Sequence, residues 1–173
     1  MSNRVILSLM LIFTVLLAAC ARNNSTALLQ EDCPVTEQQD PPFQPPDPYP
    51  PDAPSAGTFW YGTSELWTMV PEDGVWWGLA QTEPDGRMHW TQKVFIWRDG
   101  YDAGIEPIPA LTLRAVHLAD PELTYEAPKA THASQRGGWS MLTGVELPSS
   151  GCWQFTAVYQ GHELTFVVWL APE

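Results

Sequence analysis

The sequence predicts an all-β domain, and three observations carry that expectation. From Thr58 onward, short apolar or alternating runs are separated by turn-forming residues at about ten-residue intervals, the pattern of an antiparallel sandwich or barrel. Beyond the leader, no segment longer than ten residues carries a 3.6-residue apolar period. Near the C-terminus, Trp153, Phe155, Ala157 and Tyr159 alternate on one run, and Leu164, Phe166, Val168 and Leu170 alternate on the next. With Gly161 turning the chain between them, the two runs form a closing β-hairpin whose aromatic face fills a core.

The chain begins differently. Arg4 precedes an apolar run from Val5 to Leu17, too short to span a bilayer, which takes about 20 residues. A basic start, a short apolar core and small residues at its end describe an export signal. The closing residues Leu17-Ala18-Ala19-Cys20 resemble the bacterial lipobox, which implies cleavage before Cys20 and lipidation of that residue. The expected divisions are a signal peptide over 1–19, a lipidated tether and Pro-rich strap over 20–57, and one β domain over 58–173. The lipid would hold the protein at a cell or outer membrane on its extracytoplasmic side, a contact that an acidic body does not make with anionic headgroups.

Composition agrees with that address. The 173 residues include 20 Asp or Glu against 8 Lys or Arg, a net charge of -12, which excludes a basic nucleic-acid surface. With Cys20 acylated, Cys33 and Cys152 remain, and in a compartment where disulfides persist they are expected to bond to each other. Eight of the fourteen residues from Pro41 to Pro54 are proline, which favours extended polyproline II segments. A bond from Cys33 returns the chain to the domain before this run starts, so the run is expected to lie along the domain as a strap. Phe43 and Tyr49 would be its apolar pegs.

The expected strands are Thr58 to Tyr61, Leu66 to Val70, Val75 to Leu79, Met88 to Trp97, Leu111 to Leu118, Trp139 to Leu147, Cys152 to Gln160 and Glu163 to Leu170. The string Pro148-x-x-Gly151-Cys152-Trp153-x-Phe155-x-Ala157 resembles the approach to the penultimate strand of bacterial immunoglobulin-like domains. That likeness, over residues 108 to 172, implies an immunoglobulin-like β-sandwich, with the Trp-rich residues 58 to 97 as an N-terminal hairpin extension. The Pro-rich lead, Phe59-Trp60-Tyr61-Gly62-Thr63 and the Gly151-Cys152-Trp153 corner also resemble a set of uncharacterised bacterial lipoproteins, which implies an address and no reaction.

Catalytic signals are sparse. Gly138-Trp139-Ser140-Met141-Leu142-Thr143-Gly144 misses the G-x-S-x-G spacing of a nucleophile elbow and reads as a strand with a glycine bend. Carboxylates are scattered through turns, and a glycosidase pair would show itself only in the fold. The expected role is therefore a non-catalytic binding or structural module that needs no cofactor, monomeric, with a glycan or an envelope protein as partner. Trp76 and Trp77 are adjacent on an expected strand and must point to opposite faces. The same holds for Trp60 and Trp169 against their neighbours, so Trp60, Trp76, Trp77 and Trp169 are the candidate binding residues, unless a further layer such as the strap covers them. The alternative is a metal-handling lipoprotein using His89, His117, His132 and His162, which lack an H-x-x-x-H spacing. Asp99, Asp102 and Glu106 offer oxygens for calcium without the order of an EF-hand.

Overall fold

The structure, a computed structural model, describes residues 30–171. The expected signal peptide and Cys20 lie outside the described residues. Eleven strands follow one 3-10 turn at Gln30–Asp32: β1 (Thr58–Gly62), β2 (Trp67–Pro71), β3 (Val75–Trp76), β4 (Leu79–Thr82), β5 (Met88–Trp97), β6 (Thr112–His117), β7 (Asp120–Glu126), β8 (Thr131–Gln135), β9 (Gly138–Leu147), β10 (Gly151–Tyr159) and β11 (His162–Leu170). They form two sheets, ordered β1-β2-β5-β9-β8, with β4 also on β5, and β3-β11-β10-β6-β7. All pairings are antiparallel except β3 with β11.

The fold is thus an all-β sandwich, with a core between the sheets made by alternating side chains. Val94 and Ile96 from β5, Met141 and Val145 from β9, and Phe155, Phe166 and Val168 from the closing hairpin are buried there. Phe155 and Phe166 stack with ring centres 5.2 Å apart, in the register that the hairpin pairing sets.

Two features depart from the expected strands. The run Val75 to Leu79 is divided: β3 joins β11 in the second sheet, the chain crosses at Trp77-Gly78, and β4 joins β5 in the first. Gly78 permits the crossing, since a β-carbon there would meet Leu170 and Trp90 at 3.0 Å. β7 and β8 fall where no strand was expected. Each is the last strand of its sheet and has no buried residue, so neither needs the apolar alternation that announces a half-buried strand. Pro121 near the start of β7 suits an edge, where a missing N–H costs no ladder bond.

The Pro-rich segment covers the outer face of the first sheet. Cys33 is bonded to Cys152 at the start of β10, with Cα atoms 5.6 Å apart. Thr36 then exchanges hydrogen bonds with Val167, its N–H donating to the carbonyl (2.9 Å) and its hydroxyl accepting from the N–H (2.7 Å). Gln39 does the same for Gly62 through its side-chain amide, both bonds at 3.1 Å. Beyond this, Phe43 and Tyr49 pack on Trp67, with ring centres 6.0 and 5.1 Å away. Trp60 and Trp97 complete a second apolar cluster beneath the strap. The strap is no straight polyproline rod: it turns at Pro46, whose carbonyl accepts the Tyr49 N–H, and Asp40-Pro41 and Asp47-Pro48 are cis. Tyr49 then sits on Gly137, which has φ +94° and where a β-carbon would stand 2.9 Å from Pro48 O and Tyr49 Cα. Only glycine meets both demands there.

Candidate functional site

The four candidate tryptophans do not share a face. Trp60 is 3% exposed, and its indole N–H donates to the Pro50 carbonyl at 3.0 Å, so the strap that covers it also binds it. Trp76 is 8% exposed and packs between the sheets against Phe155 and Phe166, with centres 4.9 and 6.0 Å away. The strap covers Trp60 and the second sheet covers Trp76, the further layers that the sequence left open. Trp169 is half-buried on β11, in register with Cys152 and Val75. Trp77, at the crossing between sheets, is 70% exposed. The opposite-face argument therefore separates Trp76 from Trp77, and one of the four remains as an open aromatic platform.

The histidines stand apart. His89 on β5 faces Glu83 (3.5 Å) and His162 at the start of β11 faces Glu65 (3.4 Å). His117 Nδ1 accepts the Asp120 N–H at 3.1 Å, while its Nε2 lies against Gly151, where a β-carbon would approach it to 2.4 Å. His132 Nδ1 lies 2.9 Å from the Pro107 carbonyl, and its ring stands edge-on to Trp139. Among the described residues, no three His, Cys, Asp or Glu side chains gather as a metal-holding group.

The acidic loop after β5 is organised around its own carboxylates. Asp102 Oδ1 accepts the Gly104 N–H at 2.7 Å, and Glu106 Oε1 accepts the Ala110 N–H at 2.9 Å. Glu106 Oε2 accepts the hydroxyl of Tyr159, whose pKa is pushed up to about 12 by burial first and by the Glu106 carboxylate second. Tyr101 donates to the Glu106 carbonyl at 3.0 Å, and burial followed by the Glu106 and Asp102 charges raises its pKa as well. These bonds hold the loop shut on the sandwich and explain why acidic residues cluster there. Ser140, at the missed elbow, is buried and donates to the Ala133 carbonyl within the β8–β9 pair.

A different site emerges where the first sheet opens. β2 pairs β5 only at Trp67↔Trp97 and Thr68↔Ile96, and β4 pairs β5 only from Met88 to Thr91. Residues 92–94 of β5 have a neighbour strand on the β9 side alone, while the Phe95 carbonyl still accepts the Thr68 hydroxyl of β2 at 2.8 Å. The opening is a groove of about 540 Å³, within the range of roughly 300–1,000 Å³ for binding clefts. Met69 and Pro71 line one wall and Lys93 and Phe95 the other, with Asp73 and Trp77 at its end. Leu79 and Met88 are exposed as well, on opposite faces of the β4–β5 hairpin. Sequence reasoning placed Trp77 and missed the groove, because the signal for it is a proline at the end of an apolar strand and not an aromatic pattern.

Compared with protein-family models, with curated proteins and with solved structures, the chain gives no match.

Proposed function

We propose that this protein is an exported, lipid-anchored envelope protein that acts as a non-catalytic binding module, and that the groove at Trp77 is its contact surface. One observation carries the reading: of the four candidate tryptophans, Trp77 alone is mostly exposed, and it stands at the end of a groove left by an interrupted sheet. A single exposed indole is a poor platform for a glycan chain, which is usually held by several rings, and is well suited as an aromatic anchor in a protein interface. An envelope protein is therefore the partner class this reading favours. The leader and the Leu17-Ala18-Ala19-Cys20 sequence support the address, and the Cys33–Cys152 bond agrees with an oxidising compartment. The immunoglobulin-like likeness belongs to the same proposal. It is supported by the order β5-β9-β8 opposite β11-β10-β6, which corresponds to strands B-E-D opposite G-F-C.

Address and contact surface have separate tests. Cys20→Ser should abolish palmitate incorporation and move the protein out of the membrane fraction; retention at the membrane without the lipid would sink the address. For the surface, a photo-crosslinking amino acid placed at the exposed Leu79 of the full chain should yield a protein adduct in intact cells. Trp77→Ala should reduce that adduct by about tenfold or more, the size expected for loss of an aromatic anchor. An adduct indifferent to Trp77 would remove the groove from the function.

A further inference from the structure

The outer edge of β1 is closed at Gly62 and open at Trp60. Gly62 gives its N–H to Gln39 Oε1 and its carbonyl accepts from Gln39 Nε2, both at 3.1 Å, so its main chain faces away from β2. Main-chain direction alternates along an antiparallel strand, and Trp60 therefore faces the same way. Gly57 and Thr63, bonded on the β2 side to Glu72 and Leu66, fit that alternation. Neither the N–H nor the carbonyl of Trp60 has a hydrogen-bond partner among the described residues, although the residue is only 3% exposed. The strap beside it runs through Pro42, Pro50 and Pro51, which have no N–H to offer that carbonyl, and the Pro50 carbonyl is taken by the Trp60 indole. Between strap and edge lies a cleft of about 430 Å³, within the range of roughly 300–1,000 Å³ for binding sites. Phe59 points between the sheets and Trp60 points under the strap, yet both line this cleft, so it runs along the main chain of β1. Phe43 and Ala53 give it an apolar wall, and Asp52 and Glu72 are the only charged side chains that line it. Neither carboxylate pairs with a basic group among the described residues.

We propose that this cleft binds a small amide-bearing cation, with a primary carboxamide at one end and an ammonium group at the other, the chemistry of an amino-acid or peptide amide. The carboxamide pairs with Trp60 as that of Gln39 pairs with Gly62: its oxygen accepts the Trp60 N–H, and its nitrogen donates to the Trp60 carbonyl. Such a pair gains more at a covered strand edge than in water, because the alternative there is a main-chain group left unbonded. The ammonium is drawn to Asp52 and Glu72, in a cleft whose lining has no basic side chain to oppose it. An apolar stem between the two ends lies along Phe43 and Ala53. A guanidinium cannot replace the carboxamide, since it has no acceptor for the Trp60 N–H. A carboxylate cannot either, since it has no donor for the carbonyl. The cleft adjoins the groove at Ser55, Ala56 and Thr58 but is lined by neither Trp77 nor Lys93, so this inference stands apart from the reading of the groove.

The test adds aminocaproamide, an amide and an ammonium group joined by an apolar stem, to the full chain. Caproamide is its uncharged counterpart, and the N,N-dimethylamide of the same amine lacks the amide donors. Backbone amide shifts and hydrogen exchange are read at Trp60 and Gly62, and affinity by titration. Aminocaproamide should shift the Trp60 amide and slow its exchange. The dimethylamide should bind about tenfold more weakly, since it leaves the Trp60 carbonyl without a donor. Caproamide should bind about threefold more weakly, and that difference should vanish in the double variant Asp52→Asn with Glu72→Gln. Absence of a shift at Trp60 with every probe, or equal binding of the dimethylamide, would overturn the carboxamide site. A charge preference that survives the double variant would remove Asp52 and Glu72 from it. Shifts confined to Met69 and Lys93 would place the ligand in the groove and overturn the cleft. Trp77→Ala should leave all three affinities unchanged, so loss of this site and loss of the groove are read separately.

Discussion

Trp60 and Trp97 stand edge to face at 4.9 Å under the strap, yet their indole N–H groups fare differently. That of Trp60 donates to Pro50, whereas those of Trp67 and Trp97 are buried with no acceptor among the described residues. Trp60→Phe should therefore cost about 1 kcal/mol more than Trp97→Phe, because only the first leaves a strap carbonyl without its donor. Urea denaturation of the two variants checks this; equal losses would show that the Pro50 bond contributes nothing net. Tyr159 sets an alkaline limit. Its folded pKa of about 12 lies above the ordinary 10.0, so the unfolded chain gives up that proton first as pH rises. Its contribution is fully present below about pH 10 and is lost progressively as pH climbs toward 12, and Tyr159→Phe should flatten the stability profile in that window. At this scale the sequence was legible where chemistry is local. Adjacent Trp76 and Trp77 had to part, and they did. That Trp60 would be covered depended on a segment ten residues earlier turning back over it, which no pattern in β1 itself announces.

Among the elements, the strap is tied to the sandwich by bonds of long sequence separation. The Cys33–Cys152 bond spans 119 residues, for which chain entropy gives roughly 5 kcal/mol. The double variant Cys33→Ser with Cys152→Ser should lose about 2–5 kcal/mol in denaturant unfolding, and a loss below 1 kcal/mol would show that strap contacts alone hold the segment. Phe43→Ala should cost about 1–3 kcal/mol by exposing part of Trp67, with the sandwich core unaffected in its near-ultraviolet signature. The inner strands β5, β9, β10 and β11 were legible because each buries one face and therefore alternates. The edge strands β7 and β8 bury little and were not. Val75 to Leu79 read as one strand because its composition is continuous, while the change of sheet is written only in Gly78, whose role is a close approach that a single sequence does not display.

For the whole molecule, the two apolar clusters make a three-layer body of strap, first sheet and second sheet. Trp77 is the mostly exposed tryptophan of the described chain, so Trp77→Phe should remove the most acrylamide-accessible part of the fluorescence and leave the thermal midpoint within about 2 °C. A large drop in the midpoint would instead make Trp77 a packing residue. The sandwich was legible in the sequence because turns and alternation repeat along the chain. The groove was not, because it is made by the parting of two strands that are adjacent elsewhere along their length. The position of the disulfide has one more consequence, and it is mechanical. A pull on the chain ahead of Cys33 passes through the sulfur bridge into β10, which is flanked by β6 and β11 along most of its length. The load reaches an interior strand directly, and residues 34–57 lie on a slack branch beside it. Under the proposed anchor, a pull from the membrane would leave the strap seated and the groove in shape.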